Sequence, residues 1–332
     1  MPRTVRVLSG TDLSEILTLN EVIPAIEAAY LAASRQQALL YPVIREPLEG
    51  SGGVFGIKSG YWPDRDSLGL KVAGYWPHNR AHGLDNHQAT VVLVEPATGV
   101  PRAIIDGNFI TAIRTSAAGA VGLRYLARPD ARAALIVGAG VQAEAQARAL
   151  DWWQRGIKIS VFEPLDSGDQ ELATAFCARL TDQGIACQLS GPLDAAAREA
   201  DVIVTTTPAR TPVLLRDWLS PGVHINAMGA DTAGKQEHEV ATLRDSLVVV
   251  DDWHQARRLG ECQHAALAGL YSDEQHPVTI GEVIAGLATG RTSANQLTLF
   301  DATGLALQDL AAAEFAIRTA EDHDVGTVIE LD

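Results

Sequence analysis

Two hydrophobic periods alternate along this chain and divide it into segments. Near the start, Thr11 and Asn20 stand in N-cap positions and predict helices over 12–18 and 21–36. The second carries Val22, Ile23, Ile26, Ala29 and Tyr30 on one side. From Tyr41 the period shortens. Brief apolar runs bounded by Gly and Pro, at 41–46, 53–60, 68–75, 88–95 and 101–106, predict the strands of a mostly antiparallel or mixed sheet. The stretches FGIKSGYWP (55–63) and LGLKVAGYWP (68–77) echo each other, as expected of neighbouring strands that present Lys58 and Lys71 alike. Helical spacing returns at Ile110, Ile113, Ala117 and Val121 behind a capping Asn108, and ARPDAR at 127–132 reads as a joint between domains.

Beyond that joint, strand and helix patterns alternate. Strands are predicted at 133–138, 158–163, 186–189, 201–206, 223–227 and 246–250, with helices over 141–153, 169–183 and 193–199. This alternation implies parallel strands joined by right-handed crossovers. An alanine-rich helix over 305–321 and a strand-like tail at 326–331 close the chain, and they are expected to return to the first domain. The fold class is therefore α/β: a Rossmann dinucleotide-binding domain (128–303) inserted in a second α/β substrate-binding and dimerisation domain (1–127 and 304–332).

The segment after the strand Ala133–Val137 reads Gly138-Ala139-Gly140-Val141-Gln142-Ala143, a GxGxxA that opens a helix. Gly138 permits the tight turn, Gly140 lets backbone approach a pyrophosphate, and Ala143 keeps helix and strand close. The helix N-terminus offers free N–H groups to phosphates. The next strand, Ile159–Phe162, ends in Glu163, placed to accept hydrogen bonds from ribose hydroxyls and to repel a 2′-phosphate. Pro164-Leu165-Asp166 supplies no cation to offset that repulsion. NAD, as NADH in the reductive direction, is the expected cofactor. A structural glycine turn in a flavodoxin-like sheet, or a methyltransferase turn, is the rival reading of this segment alone.

Composition narrows the partners. A formal net charge of −15 argues against nucleic acid or an anionic membrane surface. Cys177, Cys187 and Cys262 show no CxxC spacing, which suggests free thiols and no zinc site; no metal is expected. The opening MPRTVRVLSGTDLSEIL lacks the apolar stretch of a signal peptide, and a cytoplasmic location is expected.

Several charged residues stand in apolar contexts: Arg45 in YPVIRE, Lys58 in FGIKSG, Lys71 in LGLKVAGYWPHN, Arg114 in ITAIRTSAAGA and Asp231 in NAMGADTAGKQE. Singly, each has a plain explanation as a solvated or salt-bridged side chain. Together with VGAGVQA, ADVIVTTTP (200–208), GADTAGKQE (229–237) and FDATGLALQDL (300–310), they resemble the ornithine cyclodeaminase/μ-crystallin family from about residue 10 to 320. The resemblance implies a homodimer with its active site in a cleft beside the nicotinamide. It gives Arg45, Lys71 and Arg114 to the substrate carboxylate, and Asp231 the acid/base role, with Lys71 beside it in the chemistry. It aligns Thr115, Gly138, Gln142, Glu163, Met228 and Lys235 along the cofactor; Ala139, Gly140, Val141, Thr205, Gly229 and Gly304 complete the expected cofactor set.

The family spans cyclodeaminases, amino-acid dehydrogenases, imine reductases and a crystallin-like binding protein. A cyclodeaminase must host a cationic side chain, and surplus cations would oppose it. Here Lys58 joins Arg45, Lys71 and Arg114, and His87 and Gln88 follow in LDNHQATV. Such a set suits a small dicarboxylate imine, as in the family's iminosuccinate-reducing branch, with the second carboxylate meeting Lys58, His87 or Gln88. A ketimine reductase, an alanine dehydrogenase, an ornithine cyclodeaminase and a non-catalytic nucleotide binder remain alternatives. Cys262 and His264, in GECQHA, are not expected to take part in the chemistry.

Overall fold

Capping boxes set the first two helices. Ser9 and Asp12 bond each other's backbone N–H groups, and the Glu21 carboxylate accepts from the Thr18 N–H and hydroxyl. Helices α1 (Gly10–Ile16) and α2 (Leu19–Ser34) therefore start ahead of the predicted caps Thr11 and Asn20. The computed structural model describes residues 3–164 and 170–331. Residues 165–169, which hold Leu165-Asp166 and the start of the helix expected over 169–183, lie outside the described residues. The chain falls into two units, one running to Arg114 and resuming at Leu305, the other Thr115–Gly304.

The first unit opens with β1 (Arg3–Leu8), followed after α2 by β2 (Leu39–Leu40), β3 (Ile44–Leu48), β4 (Gly53–Trp62), β5 (Ser67–Tyr75), β6 (His87–Val94) and β7 (Pro101–Asp106). Neighbours from β3 through β7 pair antiparallel, while β1 lies parallel to β7, which makes the sheet mixed. Helix α3 (Gly107–Leu126) begins under the Asp106 carboxylate, whose Oδ1 accepts the Phe109 N–H at 2.8 Å; Asn108, the expected cap, is used elsewhere. The division between units falls inside α3, not in the joint at 127–132. From Thr115 onward the helix is tied to the Rossmann elements: Gln146 Nε2 donates to Thr115 O (2.8 Å), Ser116 Oγ to Ala145 O (2.6 Å) and Asn226 Nδ2 to Gly119 O (3.1 Å).

The second unit alternates strand and helix: β8 (Ala133–Val137), α4 (Val141–Trp153), β9 (Lys158–Phe162), α5 (Gln170–Asp182), β10 (Cys187–Leu189), α6 (Leu193–Glu199) and β11 (Val202–Thr205). Next come β12 (Arg210–Leu214), β13 (His224–Ala227), β14 (Gln236–His238), α7 (Val240–Arg244), β15 (Leu247–Val250), α8 (Trp253–Leu259), α9 (Cys262–Leu267), β16 (Val278–Thr279), α10 (Ile280–Ile284) and β17 (Thr298–Asp301). Its main sheet is parallel throughout, in the order β10-β9-β8-β11-β13-β17-β15-β16. The order reverses between β8 and β11, the switch point of a Rossmann sheet, where ligands bind beyond the carboxyl ends of the strands. Strand β17 was not foreseen from sequence; it lies between β13 and β15, and all four of its residues are buried.

The chain then re-enters the first unit. Helix α11 (Ala306–His323) lies against β4 and β5 with Ala306–Glu314 buried, and β18 (Thr327–Leu331) pairs antiparallel with β1. Gly69 on β5 leaves no room for a side chain, because a Cβ there would meet Val92 O of β6 at 2.4 Å and Leu310 Cδ2 of α11 at 2.9 Å. Among the described residues no single helix is long and apolar enough to cross a membrane.

Candidate active site

In the first unit the site is built on one face of the sheet. Lys58 on β4 stands directly opposite Lys71 on β5, and Arg45 on β3 stands opposite Gly56, two residues before Lys58. The period of two in a strand therefore puts Arg45, Lys58 and Lys71 on the same face. Helix α3 brings Asn108, Thr111 and Arg114 to that face at a spacing of three, one helical side. The Lys71 ammonium donates to Thr111 Oγ1 at 3.1 Å and to Asp309 Oδ1, on α11, at 2.7 Å. Arg114 Nε donates to the same Asp309 oxygen at 3.1 Å.

These groups are deeply placed, with Lys71 4 % and Asp309 2 % exposed. Lys71 is pushed down to about 7: burial is the largest cause, the neighbouring Arg114 and Lys58 add to it, and Asp309 opposes them. Asp309 stays below its ordinary range: burial would raise it, but the ammonium of Lys71 and the guanidinium of Arg114 outweigh that cost. His87, on β6, lies on the same face further along; its Nδ1 is 3.0 Å from Asn108 Oδ1. Gln88 is not brought to the cluster. Alternation turns it to the opposite face, where its amide donates to Asp85 O at 2.9 Å.

In the second unit most of the expected cofactor residues lie at or just past the carboxyl ends of the parallel strands, while Thr115 is on α3. Gly138 follows β8 with φ +113°, a conformation that side chains rarely adopt, and a Cβ there would meet Thr206 Oγ1 at 2.6 Å. Gly140 caps α4 with no side-chain hydrogen bond, so the first N–H groups of the helix are left for an anion, and Val141 opens the helix exposed. Glu163 follows β9 and accepts the Ala139 N–H on Oε2 at 2.8 Å, which fixes the carboxylate beside the glycine turn. Thr115 Oγ1 and Gln142 Oε1 are buried with no hydrogen-bond partner. Polar atoms left unmatched beside an uncapped helix N-terminus fit a bound dinucleotide, whose oxygens and hydroxyls would satisfy them.

Past β13, Asp231 sits partly exposed in a loop. Its Oδ1 accepts Lys235 Nζ at 2.7 Å and the Thr232 hydroxyl at 3.0 Å, and Lys235 also reaches Gly229 O at 3.0 Å. Gln263 fastens this loop from below: its Oε1 accepts the Gly234 N–H at 2.6 Å and its Nε2 donates to Lys235 O at 3.0 Å. His264 Nε2 stands 3.2 Å from the same carbonyl. The GECQHA stretch, set aside from the chemistry in the sequence reading, thus positions the loop that carries Asp231. Met228 is nearly buried, and its N–H bonds Thr205 O at 2.9 Å.

Three further expected cofactor residues are also bonded within the framework. The Thr205 hydroxyl is fully buried, 3.1 Å from His238 Nε2. The Gly229 N–H donates to Glu237 Oε2 at 3.0 Å, and Gly304 is held through its N–H by Asp251 Oδ2 at 2.6 Å and through its carbonyl by Gln255 at 2.9 Å. Burial raises Glu237 and Glu261; Glu237 accepts the Thr207 N–H of the loop after β11, and Glu261 accepts the Glu237 and His238 N–H groups of β14. Asp309, Thr111, Asn108 and Gln263 contact the candidate site residues and were not singled out as such from the sequence. The available signal for Asp309 was an acid set between Leu307 and the apolar run Leu310–Ala313 at the start of an alanine-rich helix, a place that favours a cationic partner.

Full-length relatives share this architecture. The iminosuccinate reductase of Paracoccus denitrificans (strain Pd 1222) is 36% identical over 325 residues, 98% of this chain and 99% of that protein. The crystal structure of the P. denitrificans iminosuccinate reductase in complex with NAD+ superposes with a TM-score of 0.89, covering 99% of this chain and 100% of that one at 36% identity. An archaeal alanine dehydrogenase dimer with bound NAD gives 0.91 at 34% identity, covering 99% and 100%. The Thermococcus litoralis Δ1-pyrroline-2-carboxylate reductase in complex with NADH and L-proline gives 0.92 at 31% identity, covering 97% and 99%. The sequence model of the ornithine cyclodeaminase/mu-crystallin family matches residues 4–323, and this chain belongs to that family.

Proposed function

We propose that this protein, an NAD-dependent oxidoreductase acting on CH–NH2 and C=N groups, reduces iminosuccinate to L-aspartate. The observation that carries the reading is the pairing of Lys58 with Lys71 across β4 and β5, beside Arg114. Asp309 offsets one of these three cations. Three cations gathered on one face match the two carboxylates of a four-carbon imine better than the single carboxylate of pyruvate imine or a cyclic imine. The P. denitrificans relative, 36% identical, carries the same activity in its name.

NADH, when bound, supplies the hydride for the imine carbon. The chain's own residues do the rest. Lys71 and Arg114, with Arg45 at the edge of the face, hold the α-carboxylate, and Lys58 takes the distal one. Fixing both ends removes the rotations that would carry the imine carbon away from attack geometry. Asp231 stabilises the iminium charge and manages the nitrogen's proton. Glu163 would hold the ribose, and the N-terminus of α4 would receive the pyrophosphate.

The test is NADH oxidation with oxaloacetate plus ammonia, with pyruvate plus ammonia, and with pyrroline-2-carboxylate. Wild-type protein is expected to prefer the four-carbon mixture. Lys58→Ala should lower kcat/KM for that mixture by about 10- to 100-fold, the worth of one charge-assisted hydrogen bond, and leave pyruvate nearly unchanged. Preference for either monocarboxylate sinks the dicarboxylate reading.

A homodimer completes the proposal. The sheet face opposite the cations is apolar and partly exposed, with Ile57, Leu70, Val72, Val92 and Ile104 on adjoining strands. A second copy of this chain is the occupant in our reading, as in the alanine dehydrogenase relative described as a dimer. A monomeric mass by sedimentation at micromolar concentration would remove it.

A further inference from the structure

Asp309 is an acid of α11 buried among cations from three other parts of the first unit: Lys58 on β4, Lys71 on β5 and Arg114 on α3. One oxygen, Oδ1, accepts from both Lys71 Nζ and Arg114 Nε, at 2.7 and 3.1 Å. The other, Oδ2, is buried with no hydrogen-bond partner. The next residue inward, Gln308, stiffens the arrangement: its Oε1 accepts the Leu305 N–H at 2.8 Å and its Nε2 donates to the Tyr30 hydroxyl at 2.6 Å. A structural ion pair would be expected to use both carboxylate oxygens, since Arg and carboxylate prefer a two-point fork. Here a single oxygen bridges two cations instead.

We propose that Asp309 is a positioning residue for the substrate carboxylate, its Oδ1 holding the Lys71 ammonium and the Arg114 guanidinium together at a fixed separation. This deepens the reading above, because it rests on Lys71 and Arg114 being the carboxylate-binding cations. Two like charges held this close repel each other. Without a shared acid between them they would separate, or Lys71 would lose its proton, and a carboxylate would meet a disordered or half-charged pocket. The groups facing Lys71 are Lys58, Arg114, Thr111 and Asp309; of these only Asp309 favours its charged form. Loss of the Asp309 charge therefore moves the titration of Lys71 downward.

The experiment compares wild type, Asp309→Asn and Asp309→Glu across pH. The substrate is whichever of the three imine mixtures the wild type reduces fastest, so a wrong substrate assignment does not decide the outcome. Folding and cofactor binding are checked by melting temperature and by NADH fluorescence, which reads the second unit. In Asp309→Asn, KM is expected to rise about tenfold or more while kcat falls less. The alkaline limb of kcat/KM should move about one unit toward acid, the signature of a lost counter-charge beside a titrating cation. Asp309→Glu should restore the limb and only part of KM, because the charge returns at a displaced position. A folded, NADH-binding Asp309→Asn with wild-type KM and an unmoved alkaline limb overturns the proposal. Should Asp309→Asn fail to fold, the glutamate variant decides: a wild-type KM in it overturns fixed positioning. A wild type that turns over none of the three substrates overturns this proposal together with the function it rests on.

Discussion

Asp231→Asn is expected to lower kcat for imine reduction by about two to four orders of magnitude, the range for removing a general acid–base group. The substitution keeps shape and keeps an oxygen for the Thr232 hydroxyl and for Lys235, now 3.0 and 2.7 Å from Asp231 Oδ1. What it removes is a negative charge and a protonatable site. The imine nitrogen is positive when the carbon accepts hydride, and a neutral amide neither stabilises that charge nor passes a proton. The Asp231 side chain is 35% exposed, so the fold should be indifferent and the melting temperature nearly unchanged. Single-turnover oxidation of bound NADH isolates the step. A wild-type rate there would take Asp231 out of the chemistry.

Glu163→Ser is expected to raise the NADH dissociation constant about 10- to 100-fold and to shift the NADPH/NADH ratio of kcat/KM by about a hundredfold or more toward NADPH. The carboxylate is held against the glycine turn by the Ala139 N–H at 2.8 Å, so it cannot swing away from a 2′-phosphate. Hydrogen bonds from a ribose diol to a fixed carboxylate contribute about 1.5–3 kcal/mol, and close like-charge contact with a phosphate costs a similar or larger amount. Serine loses the first and relieves the second, so the two coenzymes should move in opposite directions. Fluorescence titration with each gives the answer. If NADH affinity holds and NADPH is still refused, discrimination lies elsewhere in the turn.

The Rossmann unit was the more legible part of the sequence, because its signals are local. A five-residue apolar strand, a glycine turn and an acid one strand later sit within thirty residues of one another, and each has its own steric or electrostatic reason. Cross-strand information is harder to extract. The echo of FGIKSGYWP in LGLKVAGYWP anticipated that β4 and β5 are neighbours presenting Lys58 and Lys71 alike, but not that the antiparallel register sets the two lysines directly opposite each other. The same alternation turned Gln88 to the other face, one residue out of step with His87. Strand β17 escaped notice because Thr298–Asp301 is short and follows a polar loop, and no periodicity tells where a buried strand inserts in a sheet. The partner of Lys71 and Arg114 was hidden by distance: Asp309 is nearly two hundred residues beyond Arg114 in sequence, and only the return of α11 brings them together. At the helix starts the signals were present but misread, since Ser9 with Asp12 and Thr18 with Glu21 are each complete capping boxes.

That return of the chain also fixes an order in time. During synthesis β4, β5 and the start of α3 leave the ribosome first, but the acid that neutralises Lys71 and Arg114 and the helix that covers their sheet lie beyond Gly304. Making the intervening Thr115–Gly304 takes on the order of 10–40 s at roughly 5–20 residues per second. For that interval the nascent first unit is an uncovered sheet bearing unbalanced cations, lacking both α11 and the edge strand β18. The Rossmann unit has all of its own strands before α11 exists, so the half of the protein encoded in the middle can be finished before the half encoded at the start.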